Sequence, residues 1–495
     1  MLNSNNILFI LNILPLIGSL ILLSFPKWNA SLHRFIGLNV SLCSFFISLL
    51  LWCWFDKSIV KFQFTDEILW IPFLNLNLTL GIDSISLFLI ILTTLLISLC
   101  LFASWKSITE NVQEYIIFFL IMEALLIAVF SVLDLLLFYI FFESILIPMF
   151  LIIGLWGSRE RKIRAAYFFF LYTLLGSVFM LLGILYIYYL VGSTDYETLL
   201  CLKLTMKEQK ILWLAFFASF ATKVPMMPMH IWLPEAHVEA PTAGSVILAG
   251  VLLKLGTYGL IRFSLVLFPE ASYFFAPLVY LMSIVAIVYT SLTAIRQTDF
   301  KRIIAYTSVA HMNLVVMGIF SFNIVGLEGS LLQTLSHGFV ASALFLVIGV
   351  VYDRHHSRLI KFYSGLVHVM PIYTFIFLLF SMANIALPGT SSFVGEILIL
   401  AGIYKISTSA TFFGALGMII GGGYSLWLFN RISYGYLKLQ YIDSFVDLEK
   451  REFFVFLPLI VSTIFVGIYP DILLDCFHSS VNNIFDQINP VWHII

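Results

Sequence analysis

The chain has 495 residues, of which 61% are hydrophobic and only 11% charged, with a formal net charge of −1. Soluble domains carry roughly 25% charged residues, and no soluble core hides this much apolar surface, so the composition predicts an all-α polytopic membrane protein. A charge this close to zero excludes nucleic acid as a partner. The five scattered cysteines, with no C-x-x-C pair, argue against a cluster or disulfide framework.

In chain order, apolar runs near 7–25, 35–54, 82–104, 115–132, 134–155, 165–191, 211–231, 243–265, 272–295, 302–320, 325–351, 372–403, 409–430 and 453–470 predict about 14 transmembrane helices. The first run lacks a basic flank and an A-x-A site, so it is expected to be a retained helix. The connections 56–70 and 192–210 are expected to be polar loops. Seventeen of the 26 basic residues are assigned to loops after odd-numbered spans, including Arg159, Arg161, Lys162, Arg164, Lys301 and Arg358. Seven, with Arg262 at the end of the eighth run among them, are assigned to loops after even-numbered spans, and Lys223 and Lys254 lie inside spans. Positive loops stay inside, so both termini are expected outside.

Two spans carry helix breakers. The seventh runs into "FATKVPMMPMHIWLPEAH" (220–237), with Pro225, Pro228 and Pro234. The twelfth contains "ANIALPGTSSFVGEILIL" (383–400), with Pro388 and Gly389. Broken helices five spans apart point to two inverted five-helix repeats, spans 4–8 and 9–13. The expected organisation is a three-helix segment 1–110, repeat units 111–265 and 266–432, and a C-terminal span and tail 433–495.

An ionisable group in a span costs several kcal/mol unless it meets a partner or a water-filled path. Glu143 sits in the fifth span, Lys223 in the seventh, Lys254 in the eighth and Glu396 in the twelfth. His311 and His337 add imidazoles in the tenth and eleventh. His230 follows Lys223 by seven residues, a spacing that would put both on one helical face. Isolated buried ion pairs seldom add net stability. This many ionisable groups, arranged around two helix breaks, therefore point to proton handling. A lysine and a carboxylate held close in hydrocarbon keep each other charged, and separating them pushes each toward its neutral form. Glu123 ranks lower as a participant. Asp83 and Asp134 stand at helix starts, where capping is the expected role. The run "GALGMIIGGG" (414–423) reads as close helix packing and not as a nucleotide loop.

The stretches "FYIFFESILIPMFLIIGLWG" (138–157), "RQTDFKRIIAYTSVAHMNLV" (296–315), "LSHGFVASALF" (335–345) and "LPGTSSFVGE" (387–396), with 222–269, carry a resemblance over residues 81 to 470. The chain resembles the antiporter-like membrane-arm subunits of respiratory NADH dehydrogenase, complex I, and among them subunit 4. That resemblance implies a fourteen-helix fold with inverted repeats. It gives Glu143 and Lys223 the role of a switching pair, Lys254 that of central lysine, and Glu396 that of terminal acid. His230, His311 and His337 match histidines of a hydrated axis. It implies a proton-translocating, non-redox subunit of the mitochondrial inner membrane, flanked by the antiporter-like subunits 2 and 5 and by lipid. No cofactor is expected on this chain; NADH, flavin, iron–sulfur clusters and ubiquinone belong to the complex as a whole. The alternatives are a subunit of a sodium/proton antiporter, which shares these motifs, and a haem-bearing electron carrier. The latter needs paired axial histidines that the sequence does not offer.

Overall fold

The computed structural model describes residues 6–438 and 446–488; the chain ends, whose side of the membrane the basic residues assign, lie outside these. Helices α1 (Ile7–Ser24) and α2 (Ala30–Trp54) lead into a hairpin of β1 (Gln63–Ile71) and β2 (Leu76–Ile82). Then come α3 (Ser84–Ala103), α4 (Val112–Ser131), α5 (Leu135–Ser144), α6 (Leu146–Trp156), α7 (Lys162–Val191), the short α8 (Tyr196–Leu200) and α9 (Met206–Lys223). After α10 (Trp232–Glu239), the run Thr242–Leu265 alternates α11 (Thr242–Ile247), a π segment, α12 (Leu253–Gly259) and a second π segment. The remainder is α13 (Pro269–Ile295), α14 (Phe300–Ile319), α15 (Ile324–His355), α16 (Pro371–Asn384), α17 (Ser391–Tyr404), α18 (Thr408–Ser433), α19 (Lys450–Ile468) and α20 (Asp471–Ile488).

Among the described residues, twelve helices are long and apolar enough to cross a membrane. Of the fourteen predicted spans, the seventh and twelfth do not meet that measure as single helices. The seventh ends at Lys223, because Pro225 and Pro228 supply no backbone N–H to continue it, and its 18 residues include the charged Lys207, Glu208, Lys210 and Lys223. The twelfth divides into α16 and α17 across Ile385–Thr390, where Ala386 and Gly389 take positive φ (62° and 91°). The fifth span is also interrupted, which the sequence did not suggest. Pro148 has no N–H for the Ser144 carbonyl, and the helix breaks at Ile145.

The structure adds elements outside the predicted spans. The connection expected to be a loop at 56–70 contributes β1, and the antiparallel β1–β2 pair turns at Asn75, whose φ of 49° suits asparagine. Beyond the last predicted span, α20 is too polar to span but carries apolar residues at 473, 477, 481, 484 and 488, one face of a helix.

The described residues pack as two compact units, one made of 225–250 and 277–474, the other of the rest. In the second of these, α1 packs on α4, α2 on α3, and α7 on α9. There α20 sets Phe477 against Phe88 at 5.2 Å, and Ser84 Oγ donates to Ser480 Oγ at 2.8 Å. In the 225–250/277–474 unit, α15 is the central element, packed against α14, α16 and α17 and buried nearly throughout. Buried on nearly every side, it is the form of helix that a membrane protein keeps at its centre.

Candidate functional site

Glu143 is the penultimate residue of α5. Asp134 fixes the start of that helix as its N-cap, its Oδ1 accepting from the Leu136 and Leu137 amides at 2.9 Å and its Oδ2 from Thr194 Oγ1 at 2.6 Å. The Pro148 break falls just beyond, so Glu143 lies where the backbone is irregular. Both its carboxylate oxygens are buried. Lys223 is the last residue of α9 and 2% exposed. A cation there is favoured by the carbonyl end of the helix dipole. Its Nζ sits 4.4 Å from the centroid of the Phe142 ring, a cation–π contact next to Glu143 in the chain. Each of Glu143 and Lys223 feels the other's charge, yet no salt bridge joins them among the described residues. The structure therefore holds a coupled but separated pair.

Lys254 is fully buried on α12, between the two π segments. Such segments recur at functional positions because they re-aim side chains. Two residues on, Gly256 lets α12 approach α9 closely: a Cβ there would stand 3.0 Å from the Phe220 carbonyl and 3.2 Å from Lys223 Cβ. The helix of Lys254 is thereby pressed on the last turn that carries Lys223.

In the other unit, His311 on α14 brings Nδ1 to 2.9 Å from Glu396 Oε1 on α17. The same oxygen accepts from Gln333 Nε2 of α15 at 2.9 Å. The His337 ring lies 6.1 Å from that of His311. A cavity of about 20 Å³, lined among others by His311, Glu396, Asn384 and Tyr424, is large enough for one water. His230 is placed differently from its sequence expectation. With α9 ending at Lys223, no continuous helix exists to give the two a common face. His230 lies in the turns before α10, its ring edge-on to Tyr289 at 5.9 Å.

Several residues escaped the sequence reading. Arg262, counted as a loop charge, is 6% exposed in a π segment and bonded to Asp83 Oδ2 at 2.5 Å. Asp83 is also the N-cap of α3, with Ser86 completing a capping box. Arg262's apolar neighbours, Ile261 and Phe263, were the available signal. Lys301 and Arg358, also counted as loop charges, are buried. Lys301 Nζ donates to the Ala240 carbonyl at 2.8 Å, closing the carbonyl end of α10. Arg358 lies 3.7 Å from Glu239 and 3.8 Å from Asp299. Gln333 stands four residues before His337, an i, i+4 spacing that puts both on one face of α15. Glu123, ranked lower, is fully buried and accepts from Ser44 Oγ of α2.

The family model for the transmembrane part of NADH:quinone oxidoreductase and Mrp antiporters matches residues 132–423. NADH-ubiquinone oxidoreductase chain 4 of Arabidopsis thaliana is 58% identical over 470 residues, covering 95% of each chain. The protein of the same name in Chondrus crispus is 57% identical over 484 residues, covering 98% of each. NADH-quinone oxidoreductase subunit M of Rhodobacter capsulatus is 46% identical over 493 residues, covering 96% of each. Among solved structures, a chain of respiratory complex I from Thermus thermophilus with bound NADH superposes with a TM-score of 0.88 at 28% identity, covering 97% of this chain and 99% of that one. The chain belongs to the family of NADH-ubiquinone oxidoreductase chain 4, the antiporter-like subunits in the membrane arm of complex I.

Proposed function

We propose that the chain moves protons across the membrane through its buried glutamate, lysine and histidine groups, driven by redox chemistry in other subunits. The observation that carries this is the 2.9 Å contact of His311 Nδ1 with Glu396 Oε1 beside a cavity sized for one water. An imidazole and a carboxylate at that distance exchange a proton with little motion. Glu143 and Lys223 act as the switch: their charges are coupled without a direct salt bridge, so a change at one alters the proton affinity of the other. Lys254 takes the proton next, and His230, His311 and His337 serve the passage to Glu396.

In this role the chain is a non-redox subunit of a proton-translocating NADH:ubiquinone reductase; NADH, flavin, iron–sulfur clusters and ubiquinone are handled elsewhere in the complex. Its neighbours are the antiporter-like subunits 2 and 5, and its location is the mitochondrial inner membrane. Setting aside the buried Arg262, Lys301 and Arg358 leaves fifteen basic residues after odd-numbered spans and six after even-numbered ones. This supports placing both termini on the intermembrane-space side. The breaks between α9 and α10 and between α16 and α17 support inverted repeat units at 111–265 and 266–432, preceded by 1–110 and followed by 433–495.

The test is Glu143→Gln and Glu396→Gln in the intact complex. Both variants assemble, and NADH-driven acidification of proteoliposomes falls by at least about tenfold, the modest end of what a positioned acid or base contributes. Pumping at the normal rate in Glu143→Gln would remove the switch from the mechanism.

A further inference from the structure

We propose that Gln333 is a positioning residue that keeps Glu396 hydrogen-bonded in both of its protonation states. The inference rests on Glu396 carrying a proton. Gln333 on α15 and Glu396 on α17 are each 1% exposed, so neither can turn to bulk water for a partner. The Gln333 amide nitrogen donates to Glu396 Oε1 at 2.9 Å, the oxygen that also meets His311 Nδ1. This serves the ionised carboxylate. Once protonated, the acid needs an acceptor for its O–H instead. The Gln333 carbonyl oxygen is buried and accepts no hydrogen bond.

A primary amide is neutral throughout the working pH range and carries two donors on one side and an acceptor on the other. A half-turn about its last side-chain bond exchanges them. When the proton passes, the N–H bond at His311 Nδ1 breaks, an O–H bond forms on Glu396, and the imidazole is left neutral. The new O–H then donates to Gln333 Oε1. A lysine at 333 could only donate and an ionised glutamate could only accept, so either would favour one state of Glu396 over the other. Space for the turn comes from the residue beside Glu396. A Cβ on Gly395 would stand 2.8 Å from Gln333 Oε1 and equally close to the Gln333 backbone nitrogen. Glycine at 395 thus lets α15 and α17 approach and leaves the amide uncrowded. The other polar groups around Glu396 are His311 on α14, Asn384 on α16 and Tyr424 on α18, with His337 one turn along α15 from Gln333. His311 Nδ1 can accept the new O–H only until the imidazole is protonated again, and the Asn384 amide is turned to Ser425 Oγ at 3.4 Å, so the amide bonded to Glu396 itself is that of Gln333.

The test is infrared difference spectroscopy on the intact complex, comparing oxidised and NADH-reduced states. The carboxylic C=O band of Glu396 is identified by its loss in Glu396→Gln. In Gln333→Met, which keeps the length but has no donor or acceptor, that band moves to higher wavenumber as the acid loses its acceptor. Proton pumping falls by about tenfold, the value of one hydrogen bond to a charged group, while uncoupled quinone reduction persists. In Gln333→Glu, equal in size and still polar, two carboxyls share a proton and the band shifts or splits. A merely structural role for Gln333 would leave the band in place. A Glu396 band present but unmoved in both variants overturns the role of Gln333 and leaves the proton relay standing. A wild-type spectrum with no Glu396 band overturns both.

Discussion

Lys254→Met assembles into a complex that still reduces quinone, but its proton pumping falls by about a hundredfold, as expected for a lost acid–base group. Lys254→Arg fails in the same way. Methionine keeps most of the stem and removes a fully buried charge, so assembly is preserved or improved. Arginine keeps the charge but its guanidinium does not release a proton at accessible pH. The two substitutions therefore separate the presence of a charge from the ability to hand on a proton. The measurement is acidification by proteoliposomes alongside quinone reduction with an uncoupler present. Normal pumping by the arginine variant would show that a fixed positive charge suffices, and Lys254 would lose its place in the relay.

The second large effect lies away from the relay. Asp83→Leu or Arg262→Leu destabilises the chain by about 3–5 kcal/mol, because each leaves an unpaired charge in a buried site. The guanidinium of Arg262 is ringed by Phe62, Tyr196 and Tyr258 at 5.1–5.6 Å, which exclude water from the pair. The yield of assembled complex drops and thermal melting of the remainder moves down. The double variant Asp83→Leu/Arg262→Leu is milder than either single change, since it leaves no stranded charge. An unchanged melting temperature in Asp83→Leu would mean that Arg262 finds other compensation.

The long spans were readable because a bilayer-length apolar run has few alternatives, and α3, α4, α14 and α15 lie where the runs placed them. The ionisable residues stood out for the same reason: an isolated charge among leucines is conspicuous. What one sequence could not reveal was pairing across the fold. Arg262 was taken for a loop residue because charge near a span end ordinarily means solvent, and its partner lies 179 positions away. Gln333 was passed over because an uncharged polar residue in a long apolar helix is common; its bond to Glu396 depends on how α15 meets α17. His230 was put on a face that Pro225 abolishes, since a proline cluster marks a break without fixing where the preceding helix stops. The hairpin β1–β2 was missed because its strands alternate too irregularly beside long apolar runs, and α20 because it is amphipathic and not apolar throughout.

The π segments on either side of Lys254 make its direction a matter of arithmetic as well as chemistry. Each π turn accommodates an additional residue relative to α-helical pitch, and one residue corresponds to about 100° of rotation about the axis. A one-residue deletion within Leu248–Leu252 would let the run revert to ordinary pitch and leave the azimuth of everything after it nearly unchanged, because the π turn had already absorbed that residue. The same deletion in the α-helical turn Thr242–Ile247 has nothing to absorb it and swings Lys254 by the full step. Chains that differ by one residue between Thr242 and Lys254 can therefore aim this lysine alike, provided the difference falls in the π turn.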